Sequence, residues 1–290
     1  MPEADDREPS WEEAKTQWGR INERLLTDIP SLNAAKWQVI PSSGGLPPFG
    51  ESPYAQFLRY LLALDDVCQQ TVYAMQRLQL FTHREWSSPW ELYVKYYLCD
   101  FLSRIKTATD LLALALNVVF DLGRRDEECS LEKGYIAGAL TAFTDDGTAS
   151  STAARGVGAT LNRQQNEWIK SFYGLRNLVI HRNGLRLGGG QHAETGESYV
   201  FMVAGGLLDV ADDRKVVERV VTRLGLLDDP LTSTSAIEPV NMCEQLWERL
   251  AELVNSVLDQ SMPQIERFVS DQRAAREGKR GLDDDGETAG

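Results

Sequence analysis

The sequence predicts a mainly α protein, a helical bundle with one small β-hairpin, folded as a single domain over residues 11–275. Three observations lead there. Apolar residues recur at three- and four-residue spacing along most of the chain, the spacing that lines one face of a helix. The breaks between these runs are polar and rich in proline, glycine and aspartate. A strand-like pattern flanks only one glycine-rich stretch, residues 185–203. With 290 residues, 42% hydrophobic and 25% charged, there is enough apolar material for one large core.

Taken in order, a first helix is expected over residues 10–28, ending where Asp28 and Ile29 precede Pro30. Residues 41–48 hold three prolines and two glycines and read as a loop. From Pro53 a helix carries Phe57, Leu61, Leu64, Cys68, Val72 and Met75 on one face and stops by Phe81. Ser88 followed by Pro89 is a cap with proline in the first helical position, and a long stripe runs from Trp90 through Leu98, Ile105 and Leu112 to Val119, ending at Gly123. A shorter helical pattern spans 130–143. The Ser-, Ala- and Gly-rich residues 145–158 read as an exposed loop, and their Gly156-Val-Gly158 is too short for a phosphate-binding signature. After the hairpin, Asp212 or Asp213 caps a helix through Leu224, and Pro239 opens a last helix over 239–270, bent or ended at Pro263. The polar ends, residues 1–10 and the acidic 276–290, read as disordered tails.

Several function classes fall away. The N-terminus lacks the basic and apolar regions of a signal peptide, and the longest apolar run, 111–120, is half of what a membrane span needs, so a cytoplasmic protein without membrane contact is expected. Cys68, Cys99, Cys129 and Cys243 are far apart, which suggests separate reduced thiols and neither a zinc site nor a disulfide framework; no cofactor is indicated. No GxSxG or Cys/His spacing supports a conventional hydrolase. The net charge of −13 argues against a nucleic-acid partner, but its distribution does not. Residues 1–13 carry −5, whereas residues 155–186 set Arg155, Arg163, Lys170, Arg176, Arg182 and Arg186 against Glu167 alone.

That basic window holds the candidate chemistry, the run from Trp168 to Gly184. At 100° per residue Trp168, Phe172, Leu175 and Val179 form the core stripe, and Asn177, His181, Lys170, Tyr173 and Gly174 fall on the outer face. Asn183-Gly184 reads as a C-cap, which puts His181 in the last turn, where the helix dipole favours a protonated ring. Arg176 and His181 are about 140° apart on a straight α-helix. Either the helix ends or bends between them, or a second subunit completes the site.

Arg176-Asn177-Leu-Val-Ile-His181 resembles the R-x4–6-H signature of the HEPN superfamily, small helical-bundle domains in which a polar residue often follows the arginine. The stretch from Ile105 to Asn117 is similar to the long helix preceding the motif helix in some of its members. The resemblance covers residues 53–183 and the C-terminal helix. It implies an HEPN-like bundle with the hairpin inserted after the motif helix, acting as a metal-independent endoribonuclease and a homodimer through that helix. His181 would serve as general acid or base, Arg176 would stabilise the phosphorane, and Asn177 would orient the ring or bind phosphate. Arg182 and Lys170 would hold RNA, Tyr173 would stack on a base, and Asp110 is the candidate acidic partner, although Lys106 offers it an ordinary i,i+4 pair. A toxin or phage-defence role, with an antitoxin or neighbouring protein as partner, fits such an enzyme. A non-catalytic interaction protein is the alternative.

Overall fold

The core is built on two long helices. A computed structural model describes residues 10–40, 52–82, 88–144, 148–191, 196, 198–227 and 229–284. Helices α3 (Pro53–Thr82) and α4 (Ser88–Val119) are joined across five residues and pack along each other. So short a connection makes them an antiparallel pair. Leu61, Leu64, Cys68, Val72 and Leu78 are fully buried on α3, and Val94, Leu98, Phe101, Ile105, Ala108 and Leu112 on α4, which is the expected stripe.

Helix α1 (Trp11–Asp28) starts from a capping box in which Ser10 and Glu13 satisfy each other's backbone N–H. The sequence reading did not resolve α2 (Pro30–Val39), which begins with proline at its first position and buries Leu32, Ala35 and Val39. The α1–α2 corner is held by the last helix, α10 (Pro239–Asp284): Trp247 Nε1 donates to Asp28 Oδ2 at 2.6 Å, and Asn255 bonds both the Asp28 carbonyl (2.7 Å) and the Ser31 N–H (3.2 Å). The two groups bonded by Asn255 are backbone groups that the helix ends leave unpaired. Helix α10 passes through Pro263 instead of ending there, because Val257 and Leu258 before it and Ile265 and Val269 after it are all buried. Its backbone continues to Asp284, past the expected tail boundary at 275.

Residues 145–158 correct the sequence reading most. A short α5 (Tyr135–Thr141) is followed by α6 (Thr148–Gln164), a helix where a loop was expected. Ala153, Ala154, Val157, Thr160, Leu161 and Gln164 are its buried face, and it packs on α5 and α10. The small residues that read as loop composition serve close approach: a Cβ on Gly158 would lie 2.7 Å from Thr141 Oγ1. The expected tail 1–9, the loop 41–48 and residues 285–290 fall outside the described residues.

The hairpin forms as β1 (Leu187–Gln191) and β2 (Ser198–Val203), antiparallel with Leu187 opposite Met202, and β3 (Ala236–Ile237) extends it to three strands. Val200 and Met202 face the core. Gly188 and Gly190 lie under the rings of Phe201 and Tyr199, where any Cβ would stand 2.7 Å from the ring. Between β2 and β3 come α8 (Ala204–Val210) and α9 (Arg214–Leu224), the latter capped by Asp213 as expected and closed by Gly225 at φ +67°. The architecture is mainly helical with a small β insertion after the motif helix, and no helix among the described residues is long and apolar enough to cross a membrane. The four cysteines are free, all buried except the half-buried Cys99.

Candidate functional site

The motif lies at the end of one continuous helix that changes pitch twice. Helix α6 runs into a π turn, Gln165–Ile169, then α7 (Lys170–Arg176), then a second π turn, Asn177–His181. In the second turn Arg182 N–H reaches back five residues to the Asn177 carbonyl at 3.2 Å. Asn183 then takes φ +53° and Gly184 N–H bonds the Leu178 carbonyl at 2.9 Å, the C-cap expected of Asn-Gly.

The wider turn closes the angle that separates Arg176 from His181 on an α-helix. An i→i+5 turn holds more residues per turn than an α-helix and so narrows the angle between residues five apart. Arg176 Nη1 stands 2.5 Å from His181 Nε2 and 3.3 Å from Asn177 Oδ1, with Asn177 and His181 exposed and Arg176 half-buried. So the first alternative holds, a change in the helix between the two residues, and one chain brings them together. A guanidinium can only donate, so this contact requires an unprotonated Nε2 with the ring proton on Nδ1. The rest of the guanidinium is less engaged: Nη2 has no hydrogen bond among the described residues, and Nε is buried without a partner.

The other residues of the proposed set divide. Asn177 and Lys170 are exposed, Lys170 bonding the Asn166 side-chain oxygen at 3.2 Å. Arg182 is exposed but paired with Asp212 at 2.7 Å and bonded to the Val210 carbonyl at 3.3 Å. Tyr173 requires correction. It is 2% exposed, and its hydroxyl donates to Asp110 Oδ1 at 2.9 Å and meets Thr109 Oγ1 at 3.1 Å, so it offers no face to a base. Burial, with the Asp110 charge second, raises its phenol well above the ordinary range. Asp110 also pairs with Lys106, whose ammonium lies over the Tyr173 ring. Among the described residues its contacts join α4 to α7, and none reaches Arg176 or His181.

Helices α8 and α9, in the region 204–235 that the family resemblance does not cover, are packed against the motif helix. Gly174 meets Val220 so closely that a Cβ would sit 3.1 Å from its methyl, and a Cβ on Gly184 would be 2.8 Å from Val210. Arg186 pairs with Asp209 at 2.6 Å, and Arg223 Nη1 donates to the Asn166 carbonyl at 3.3 Å. The valine stripe of α9 and the glycines of the motif helix were the signals for this packing, but neither names its partner.

No family model, no curated protein and no solved structure matches this chain.

Proposed function

We propose that the protein is a metal-independent endoribonuclease of HEPN type, cleaving RNA at the Arg176–His181 pair. The contact between the two side chains carries the reading: a cation and an acceptor imidazole nitrogen, 2.5 Å apart on the surface at a helix end. An incoming phosphate competes for the guanidinium as a stronger, charged acceptor. Once Arg176 turns to it, the lone pair on His181 Nε2 is released to take the proton of the ribose 2′-hydroxyl. The 2′-oxygen then bonds to phosphorus, the bond to the 5′-oxygen breaks, that oxygen takes a proton from solvent water, and His181 returns its own proton to solvent. Arg176 meanwhile offsets the charge on the phosphorane. Asn177 Oδ1, already on Arg176 Nη1, positions the guanidinium. Exposed Asn177 and His181 are free to face a second copy, the homodimer this family implies, and a toxin or defence role, held in check by an antitoxin or neighbouring protein, would follow from such an activity.

A non-catalytic interaction module is favoured by two observations: Tyr173 is buried and Arg182 is paired with Asp212, which withdraws two of the expected RNA contacts. Incubation with mixed RNA in EDTA separates the readings. Fragments ending in 2′,3′-cyclic phosphate, lost in His181→Ala, support the nuclease. Equal inertness of wild type and His181→Ala, with a shifted monomer–dimer equilibrium in sedimentation, supports the module.

A further inference from the structure

Four acids in and before α9 are already engaged. Asp209 pairs with Arg186 and Asp212 with Arg182; Asp213 accepts the Lys215 N–H as the helix cap; Glu218 holds Arg214 at 2.8 Å. That leaves Lys215, Arg219 and Arg223 exposed, with no ion pair among the described residues. They recur every four residues, opposite the stripe of Val217, Val220, Val221 and Leu224 that buries the helix, so they line one outward edge at intervals of about 6 Å.

This edge runs alongside the motif helix in the opposite direction. Three contacts set the alignment: Arg223 at Asn166, Val220 at Gly174, and Asp212, just before α9, at Arg182. Lys170 Nζ and Arg223 Nη1 converge on Asn166, one on its side-chain oxygen and one on its carbonyl, both neutral acceptors. The unneutralised cations therefore begin at Asn166 and lead, through Arg219 and Lys215, toward the helix end that carries Arg176 and His181.

We propose that Lys170, Arg223, Arg219 and Lys215 form a track for the phosphate backbone of single-stranded RNA, delivering it to the Arg176–His181 pair. The inference rests on the ribonuclease reading for the destination of the strand, but its binding step can be tested separately. In a chain with a net charge of −13, most surfaces repel a polyanion, so an edge carrying four cations, beside which Asp209, Asp212 and Glu218 are already held in ion pairs, is where one can approach. The cations are spaced along a line, which suits a backbone rather than a single phosphate. Phosphate contacts of this kind position a strand without reading its sequence, so the track selects strand and charge.

The test is fluorescence anisotropy with a labelled 2′-O-methyl RNA oligonucleotide, which binds but lacks the nucleophilic hydroxyl. Lys215→Glu/Arg219→Glu/Arg223→Glu should weaken binding by about tenfold or more, and the magnitude of the log Kd against log salt slope should fall by about 2. Arg219→Ala, which removes no contact of the fold, should reduce that slope by about 0.7. Lys15→Glu/Arg20→Glu on α1 should change neither. Triple-variant binding within twofold of wild type, at an unchanged salt slope, overturns the track. So does failure of the wild type to bind. Wild-type binding that the triple variant loses, in a protein that cleaves no unmodified RNA, keeps the track and removes the nuclease reading. Cleavage of unmodified RNA with no effect of the triple variant does the reverse.

Discussion

The same helix makes two π turns and uses them differently. In the first, Gln165 is buried and its amide donates to the Leu131 and Glu132 carbonyls at 2.9 and 2.6 Å, while Trp168 Nε1 donates to Gln164 Oε1 at 2.6 Å. Gly134, at φ +73°, packs directly on the Gln165 side chain. The buried polar groups of this turn are satisfied inside the fold, Gln165 by joining the helix to the segment before α5 and Trp168 by bonding within the helix. In the second turn Asn177 and His181 point to solvent, and the polar side chains there bond mainly one another. A π turn thus displaces side chains, and its surroundings decide whether the displaced groups are satisfied internally or left available for chemistry.

Mutation should separate the two turns by stability against activity. Trp168→Ala opens a cavity in the first and should cost about 3–5 kcal/mol in a denaturant melt. Gln165→Ala leaves two buried carbonyls without their donor and should cost about 1–3 kcal/mol. His181→Ala in the second should change stability by no more than about 0.5 kcal/mol while cleavage falls by about 100-fold or more. If His181→Ala instead destabilises as strongly as Gln165→Ala, the second turn is structural like the first and the comparison collapses.

Much of this fold was legible because its main helices are strongly periodic. The α3 and α4 stripes, the Asp213 start and the Asn183-Gly184 stop follow from spacing and cap chemistry. The motif helix was harder. A 100° wheel placed Trp168, Phe172, Leu175 and Val179 correctly in the core, yet it has no means of representing an i→i+5 turn, so it held Arg176 and His181 apart. It also put Tyr173 outside, because burial there comes from α4, which supplies Asp110 and Thr109 across more than sixty residues of sequence. Helix α6 was missed for a related reason. Its alanines and glycines carry little hydrophobic signal, although Ala153, Ala154, Val157 and Leu161 keep helical spacing, and small residues pack closely only once a neighbour is known.

The buried and exposed faces of α7 allow a finer test. Tyr173→Phe removes a hydroxyl that joins the helix to α4, and should cost about 1 kcal/mol while leaving RNA cleavage unchanged. A loss of activity without loss of stability would return Tyr173 to the site.

The smallest effect belongs to Arg182. Its partner Asp212 is 86% exposed, and a pair so open to water and salt contributes between about 0 and 1 kcal/mol. Arg182→Ala should therefore leave the melt almost unmoved. Asp212→Asn is the more telling variant, since it frees the guanidinium beside the site without removing it. If Arg182 binds backbone phosphate once released, Asp212→Asn should lower KM for RNA with kcat unchanged, and the gain should vanish in the Arg182→Ala/Asp212→Asn double variant. An unchanged KM in Asp212→Asn would make the pair a tether between the motif helix and the start of α9, akin to the internal bonding of the first π turn, and would confine the second turn's chemistry to Arg176, Asn177 and His181.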